Sequence, residues 1–300
     1  MSQFKNITRW LLAAGGSTSA DGKSTYYLYE EKNTLCIKPW TGSEFAGKSW
    51  VATGVKSGTS APCISVNGKH LVFCVNQSDI LKCYAESQKV PAADMGDDDD
   101  DDDDDEDDDT LWNDVPSGPA GNIKVHSKSQ LEVNISESGI TVFYQTPDGR
   151  LGTIVNRGKD WQTIGLQSPN VLLGTPLASF TSKEKPLLFY LNDDNSIHFL
   201  TNDTHQDTWT DAPLANVKLG GYVSRLAVSE GDDNAGLAAY CLADGKLLMV
   251  KESGDQVDVL GTVEKGEFHA AQGQESVLVG WQWRPVPIYM DYVPYYWSPW

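Results

Sequence analysis

Two arginines, one histidine and a run of aromatic rings are the side chains in this sequence best suited to chemistry. Arg225 opens the phrase Arg225-Leu-Ala-Val-Ser. His269 stands in Phe268-His-Ala-Ala, and Arg284 lies inside Trp281-Gln-Trp-Arg-Pro. Each is a lone donor among apolar neighbours. Such a group grips an oxygen of a bound molecule and can polarise it. The same residues have plainer uses: a polar inner-strand residue hydrogen-bonds neighbouring backbone, and a guanidinium stacks on indole. Trp283, Tyr289, Tyr292 and Trp297 surround or follow Arg284. They supply either walls for an apolar or aromatic guest or ordinary core. Arg225, His269 and Arg284 are therefore the candidate catalytic residues, and these four rings the candidate substrate contacts.

The familiar catalytic spacings are missing. There is no Gly-x-Ser-x-Gly, no His-Glu-x-x-His, no P-loop and no Gly-x-Gly-x-x-Gly before a helix, and Gly15-Gly-Ser reads as a turn. Histidine and cysteine spacings match no zinc site, and there is no Cys-x-x-Cys pair. Neither a metal nor a cofactor is expected. The five cysteines are odd in number and four sit in apolar strand patterns, as buried reduced thiols do in a cytosolic protein. Basic clusters are scarce, which disfavours nucleic acid as a partner. No apolar run reaches the length of a membrane span. The patch Trp10-Leu-Leu-Ala-Ala is too brief for a secretion signal. The expectation is a cytoplasmic monomer or homodimer that meets a small apolar or aromatic substrate.

The elements that must position these residues announce themselves by repetition. Ile140-Thr-Val-Phe-Tyr-Gln, the turn Thr146-Pro-Asp-Gly-Arg and Leu151-Gly-Thr-Ile-Val-Asn form one strand–turn–strand phrase that closes on Trp161. It recurs at Leu187-Leu-Phe-Tyr-Leu with Trp209, at Leu237-Ala-Ala-Tyr-Cys, at Tyr26-Tyr-Leu-Tyr and at His70-Leu-Val-Phe-Cys. A period of about 50 residues with several strands per unit is that of a β-propeller. The predicted fold is all-β, a six-bladed β-propeller, in one domain over residues 1–300. Its predicted inner strands begin at Trp10, Pro62, Leu131, Pro176, Arg225 and Phe268. Trp50, Trp112, Trp161 and Trp209 end blades, as structural plugs or as stacking platforms.

Two stretches stand outside the repeat. Thirteen consecutive acidic residues, Asp97 to Asp109, supply most of the formal charge of −19. The remainder is about −6, ordinary for a soluble domain. This insertion, at about 91–110, is expected to be a solvated loop, because adjacent carboxylates repel. The segment 281–300 holds four of the ten tryptophans and four prolines. It is expected to pack across the propeller, closing the last blade or covering one mouth of the channel.

The phrases Val142-Phe-Tyr-Gln and Asp148-Gly-Arg-Leu, with the trailing tryptophans, resemble those of the fungal fucose-specific lectins, which are six-bladed propellers. That resemblance implies sugar sites between blades, each with an arginine before the second strand, a glutamate on the third and stacking aromatics. Aligned by the turns, the arginine position holds Thr25, His70, Thr141, Leu187 and Leu237. The glutamate position holds Ile37, Lys82, Thr153, Phe199 and Met249. No blade keeps the pair, so hydroxyls bound there would go unpaired. The degenerate repeats and aromatic tail are also similar to the fungal hetero-Diels–Alderases of tropolone-sesquiterpenoid biosynthesis. This similarity implies a cofactor-free cyclase of polyketide–terpenoid secondary metabolism. Such an enzyme holds diene and alkene together, and positioning alone is worth roughly 7–11 kcal/mol. A lectin with altered or few functional sites, or a non-catalytic binding scaffold, is the alternative.

Overall fold

Turn chemistry sets the strand lengths. The phrase Gly139–Gln145 buries Ile140, Val142, Phe143 and Tyr144 and pairs antiparallel with Leu151–Asn156. Between them the Thr146 N–H donates to Arg150 O and the Gly149 N–H to Thr146 O, with Gly149 at φ 86°. The same two bonds recur at Asn76–Ile80, where Asp79 has φ 62°, and at Asn192–Ser196, where Asn195 has φ 63°. One left-handed residue at the end of each turn lets the strands reverse without losing their twist. The central hairpins of the first and last repeats are tighter. Lys32-Asn33 and Asp244-Gly245 take positive φ at both positions, the type I′ geometry of two-residue loops.

The computed structural model describes residues 8, 10–18, 25–66, 69–87, 111–115, 122–136, 139–158, 161–166, 170–182, 185–203, 208–230, 236–265 and 267–272. Arg284, Trp283, Tyr289, Tyr292, Trp297 and the acidic run lie outside them.

The described residues form five antiparallel sheets in chain order. Blade one is β1 (Gly15–Thr18), β2 (Thr25–Glu31), β3 (Thr34–Trp40) and β4 (Ser49–Thr53). Blade two is β5 (Cys63–Val66), β6 (Lys69–Val75), β7 (Leu81–Ser87) and β8 (Leu111–Asp114). Blade three is β9 (Glu132–Ser136), β10 (Gly139–Gln145), β11 (Leu151–Asn156) and β12 (Trp161–Gly165). Blade four is β13 (Ala178–Ser182), β14 (Lys185–Leu191), β15 (Ser196–Asp203) and β16 (Thr208–Lys218). Blade five is β17 (Val223–Glu230), β18 (Leu237–Ala243), β19 (Lys246–Lys251), β20 (Asp258–Glu264) and β21 (Glu267–Ala270). Each sheet is a meander, which needs only hairpin connections.

The core is a set of slabs between blades. Leu28, Leu35 and Ile37 of blade one meet Cys63, Val72 and Cys74 of blade two. Phe73 and Val75 meet Val133 and Val142. Phe143 and Leu151 meet Leu188 and Tyr190. Phe189 and Leu191 meet Leu226 and Cys241. Leu11, beside Trp10 in a short helical turn, packs on Ala227, Tyr240 and Met249 of blade five and so closes the ring. Burying a side chain such as Phe143 contributes about 1.5–3 kcal/mol.

Tryptophans seal two of these slabs from the outside. Trp161 sets its ring edge-on to Phe73, with centroids 6.0 Å apart, and Trp209 does the same to Phe143 at 5.7 Å. Each outer strand thus reaches back to the second strand of the preceding blade. Trp112 packs against the slab of blades one and two. Trp50 breaks the rule: it is 70% exposed on β4 and plugs nothing.

Four expectations need correction. The described residues form five blades, not six. Phe268-His-Ala-Ala is no inner strand. It turns at Lys265 (φ 50°) and adds β21 to the outer edge of β20, with His269 opposite Thr262. Inner and outer strands share the same two-residue alternation, so the sequence pattern does not separate them. At the other end, Trp10–Leu12 is helical, and Gly15-Gly-Ser, read as a turn, is the start of β1. Glycine is required there: a Cβ on Gly15 would lie 1.8 Å from the Ala61 carbonyl oxygen, where blade one meets the lead-in of blade two.

Candidate functional site

The inner strands β1, β5, β9, β13 and β17 surround an axial channel of about 370 Å³. Alternation decides what faces it. In β9, Val133 and Ile135 enter the slab shared with blade two, which leaves Glu132 and Asn134 on the opposite side. In β13, Ala178 and Phe180 enter the slab shared with blade five, which leaves Ser179 and Thr181 toward β9. Glu132 Oε1 accepts from Ser179 N–H at 3.2 Å and Ser179 Oγ at 2.9 Å. Asn134 Nδ2 donates to Thr181 Oγ1 at 3.2 Å.

The rim of the channel is stitched at every junction. Cys63 Sγ lies 3.5 Å from Ser17 Oγ between blades one and two. Ser60 Oγ donates to Leu131 O between blades two and three. Ser182 Oγ donates to Glu230 between blades four and five. Arg225 Nε reaches Ala13 O at 3.4 Å and joins blade five to blade one.

Arg225 also crosses the channel mouth. Its Nη1 donates to Ser224 O at 3.0 Å and to Gln130 Oε1 at 3.4 Å, on the lead-in to blade three. All of these acceptors are neutral. Burial pulls the guanidinium below its usual pKa, and no carboxylate among the described residues opposes that effect.

Glu132 responds to burial in the opposite sense. Its carboxyl is pushed up to about 7, against the Ser179 hydrogen bonds that favour the charged form. Geometry points the same way. The single Ser179 hydroxyl proton faces two acceptors, Glu132 Oε1 at 2.9 Å and Val133 O at 3.1 Å. A protonated Glu132 donates to Ser179 Oγ and frees that hydroxyl for Val133 O.

The wall is mixed in character. Ser17, Ser60, Ser65, Glu132, Asn134 and Arg225 share it with Trp10, Phe180 and small aliphatic residues. Of the candidate residues named from sequence, Arg225 lines the channel. His269 does not: it is exposed on β21 at the blade edge. Glu132, Ser179, Asn134 and Thr181 were not singled out. Their signal was a polar residue at every second position of an otherwise apolar inner strand.

The positions aligned with the sugar-gripping pair are of a different kind. Counting back from the turns, Phe73 pairs with Cys83, Phe143 with Thr153 and Phe189 with Phe199. The glutamate-like position of blade two is therefore Cys83 rather than Lys82. The arginine-like one is Leu71 rather than His70. Ile37, Cys83, Thr153 and Met249 are all buried, and Thr153 spends its hydroxyl on Val142 O. His70 is buried too, with Nδ1 2.7 Å from Glu86 Oε2, and Lys82 pairs with Asp114 at 2.8 Å.

One further polar cluster looks like a catalytic triad. Tyr190 donates to Asp211 at 2.6 Å, and His198 Nδ1 lies 3.0 Å from the same carboxylate. It sits beside the bulge at Ser196/His198. Burial and the Asp211 charge push the phenol well above its usual pKa, so Tyr190 is no nucleophile. The cluster pins β14, β15 and β16. The cysteines also carry no reactive thiol: all five are free and buried, and burial raises Cys63, Cys74 and Cys241 to about 12. No described helix is long and apolar enough to cross a membrane.

No protein-family model matches the chain, and no curated protein matches it in sequence. Its fold is similar to solved structures. AofleA from Arthrobotrys oligospora superposes with a TM-score of 0.62 at 14% identity, over 86% of this chain and 74% of that one. The Aleuria aurantia lectin, described as a six-bladed β-propeller with a novel fucose recognition mode, gives 0.54 at 17% identity, over 83% and 77%. The SapL1 lectin, solved with alpha methyl fucoside, gives 0.52 at 15%, over 84% and 79%. At such identities the likeness is one of fold.

Proposed function

We propose that this chain is a lectin-like, non-catalytic binding propeller whose site is the hub rather than the clefts between blades, and whose ligand is a hydroxyl-rich molecule of mono- or disaccharide size. One observation carries this reading: the hub channel of about 370 Å³ presents hydroxyl, amide, carboxyl and guanidinium groups from the inner strands. A sugar leaves water only where fixed partners replace its hydration. The channel supplies such partners, and Trp10 and Phe180 add apolar surface for a ring face. The volume lies within the range of small-molecule sites. The buried apolar positions between blades offer no such partners. The fold likeness to fucose-binding lectins supports a carbohydrate as the ligand class.

The test is a glycan array with fucose-agarose retention, run on the natural protein and on Ser65→Phe, which fills the channel from β5. Circular dichroism and Tm check that the variant folds. Retention lost in Ser65→Phe supports a hub site. Retention that survives the substitution moves the site to the blade clefts and overturns this reading.

A second reading uses the same cavity as a reaction chamber: a cofactor-free cyclase of the hetero-Diels–Alderase kind. Its support is that the hub is open rather than plugged, with Arg225 placed to polarise a substrate oxygen. The polar stitches on the wall favour the first reading over an apolar diene and alkene. Incubation with a quinone-methide precursor and an alkene partner distinguishes the two. Cycloadduct formed faster than in buffer, and slowed at least tenfold in Arg225→Gln, favours the cyclase.

A further inference from the structure

Arg225 is the only cationic side chain on the channel wall among the described residues, and it has no anion to meet. A guanidinium carries five N–H donors. Nε gives one to Ala13 O, and Nη1 gives two, to Ser224 O and Gln130 Oε1. The two on Nη2 have no partner among the described residues. Nη2 is not sealed away: its two donors open on the channel, where a carboxylate can meet both. Around it stand hydroxyl and amide groups spaced along adjacent strands, with no second charge of its own sign.

We propose that the hub takes a small hydroxylated carboxylate, a sugar acid of the hexuronate class. Its carboxylate sits on Nη2 of Arg225, and its ring hydroxyls meet the Glu132–Ser179 and Asn134–Thr181 stitches. This inference rests on the hub reading above and narrows it from any sugar to an acidic one. A carboxylate accepts two N–H bonds at once from a guanidinium, the strongest polar contact open to this wall. A neutral sugar leaves Nη2 facing only a hydroxyl.

Glu132 decides how the site depends on pH. The titratable side chains on the channel wall are Arg225, Glu132 and Cys63, with Tyr222 near the guanidinium. The Cys63 thiol, pushed up to about 12, stays neutral. With its carboxyl held near 7, Glu132 is uncharged in mildly acidic solution and acts as a donor; above neutrality it becomes an anion that repels the ligand. Binding of a sugar acid therefore weakens as pH rises through 7, whereas a neutral sugar carries no charge for Glu132 to repel.

The experiment is calorimetric titration with D-glucuronate and with D-glucose, which share a ring and differ in the carboxylate, at pH 6 and pH 8. Glucuronate is expected to bind at least tenfold more tightly than glucose at pH 6 and to lose at least threefold of that preference at pH 8. Arg225→Gln should abolish the preference. Arg225→Lys, which keeps the charge but has no fork, serves if the glutamine variant fails to fold, and should reduce the preference at least fivefold. Asn134→Ala should weaken both sugars alike. Equal affinity for the two sugars overturns the acidic ligand and leaves the hub reading standing. The same holds if glucuronate fails to bind while glycan retention remains sensitive to Ser65→Phe. Glycan retention insensitive to Ser65→Phe overturns both.

Discussion

The hub and the slabs between blades are made from the same strands, yet they have opposite characters. In β9, Val133 and Ile135 are sealed in a slab, while Glu132 and Asn134, one residue along, bond to blade four at the channel wall. The slabs hold Phe73, Phe143 and Phe189 at 0% exposure. The hub holds a carboxyl shifted by burial and a guanidinium with no carboxylate partner among the described residues. Apolar burial thus lies between blades, and polar side chains line the axis.

The largest effect should follow from opening a slab. Phe143→Ala removes the ring that Trp209 covers, and should cost about 3–5 kcal/mol in denaturant unfolding. A hub variant such as Ser65→Phe that cost as much would erase the division of labour. Next comes Tyr190→Phe, which leaves Asp211 without its phenol donor. Since the bond is to a charged acceptor, the loss should be about 1.5–3 kcal/mol.

The contribution of Glu132 depends on pH. Its folded pKa, about 7, stands above the ordinary 4.5. The stability associated with the protonated form is complete below about pH 4.5 and is lost as pH rises through 7. Glu132→Gln does not titrate. Its Tm should therefore gain on the natural protein between pH 4.5 and 7, by about 2 °C or more, and the gap should stay constant above. A pH-independent gap would show that the carboxyl is not desolvated in the fold. The smallest effect is expected of Trp50→Ala. At 70% exposure it should change stability by less than about 0.5 kcal/mol, whereas Trp161→Ala, against Phe73, should cost several times more. Equal losses would mean that Trp50 is covered in solution.

Much of this was legible in the linear sequence. The strand–turn–strand phrases at Val142, Leu187 and Leu237 became β10–β11, β14–β15 and β18–β19, and four of the predicted inner strands lie close to where they were placed. Other features were hidden for definite reasons. Phe268-His-Ala-Ala has the alternation of any strand, and only its hairpin with β20 makes it an edge. Lys82 and Cys83 differ by one residue, but a one-residue step turns a side chain to the other face of a strand, and the ladder alone shows that Cys83 stands opposite Phe73. Arg225 could be singled out as a lone basic residue in an apolar strand. Glu132 could not be told from any surface carboxylate.

Local chemistry, written in the order of the residues, was enough to make this chain a set of antiparallel meanders: β-branched and aromatic runs extend, and Asn, Asp and Gly at the turns reverse them. Those rules act within a hairpin and carry no information about how many sheets close a ring or which face of an inner strand meets the axis. Packing between blades decided that. It set Leu11 against blade five, brought Ser179 to Glu132 across 47 residues of chain, and left Arg225 facing the channel with no carboxylate partner among the described residues.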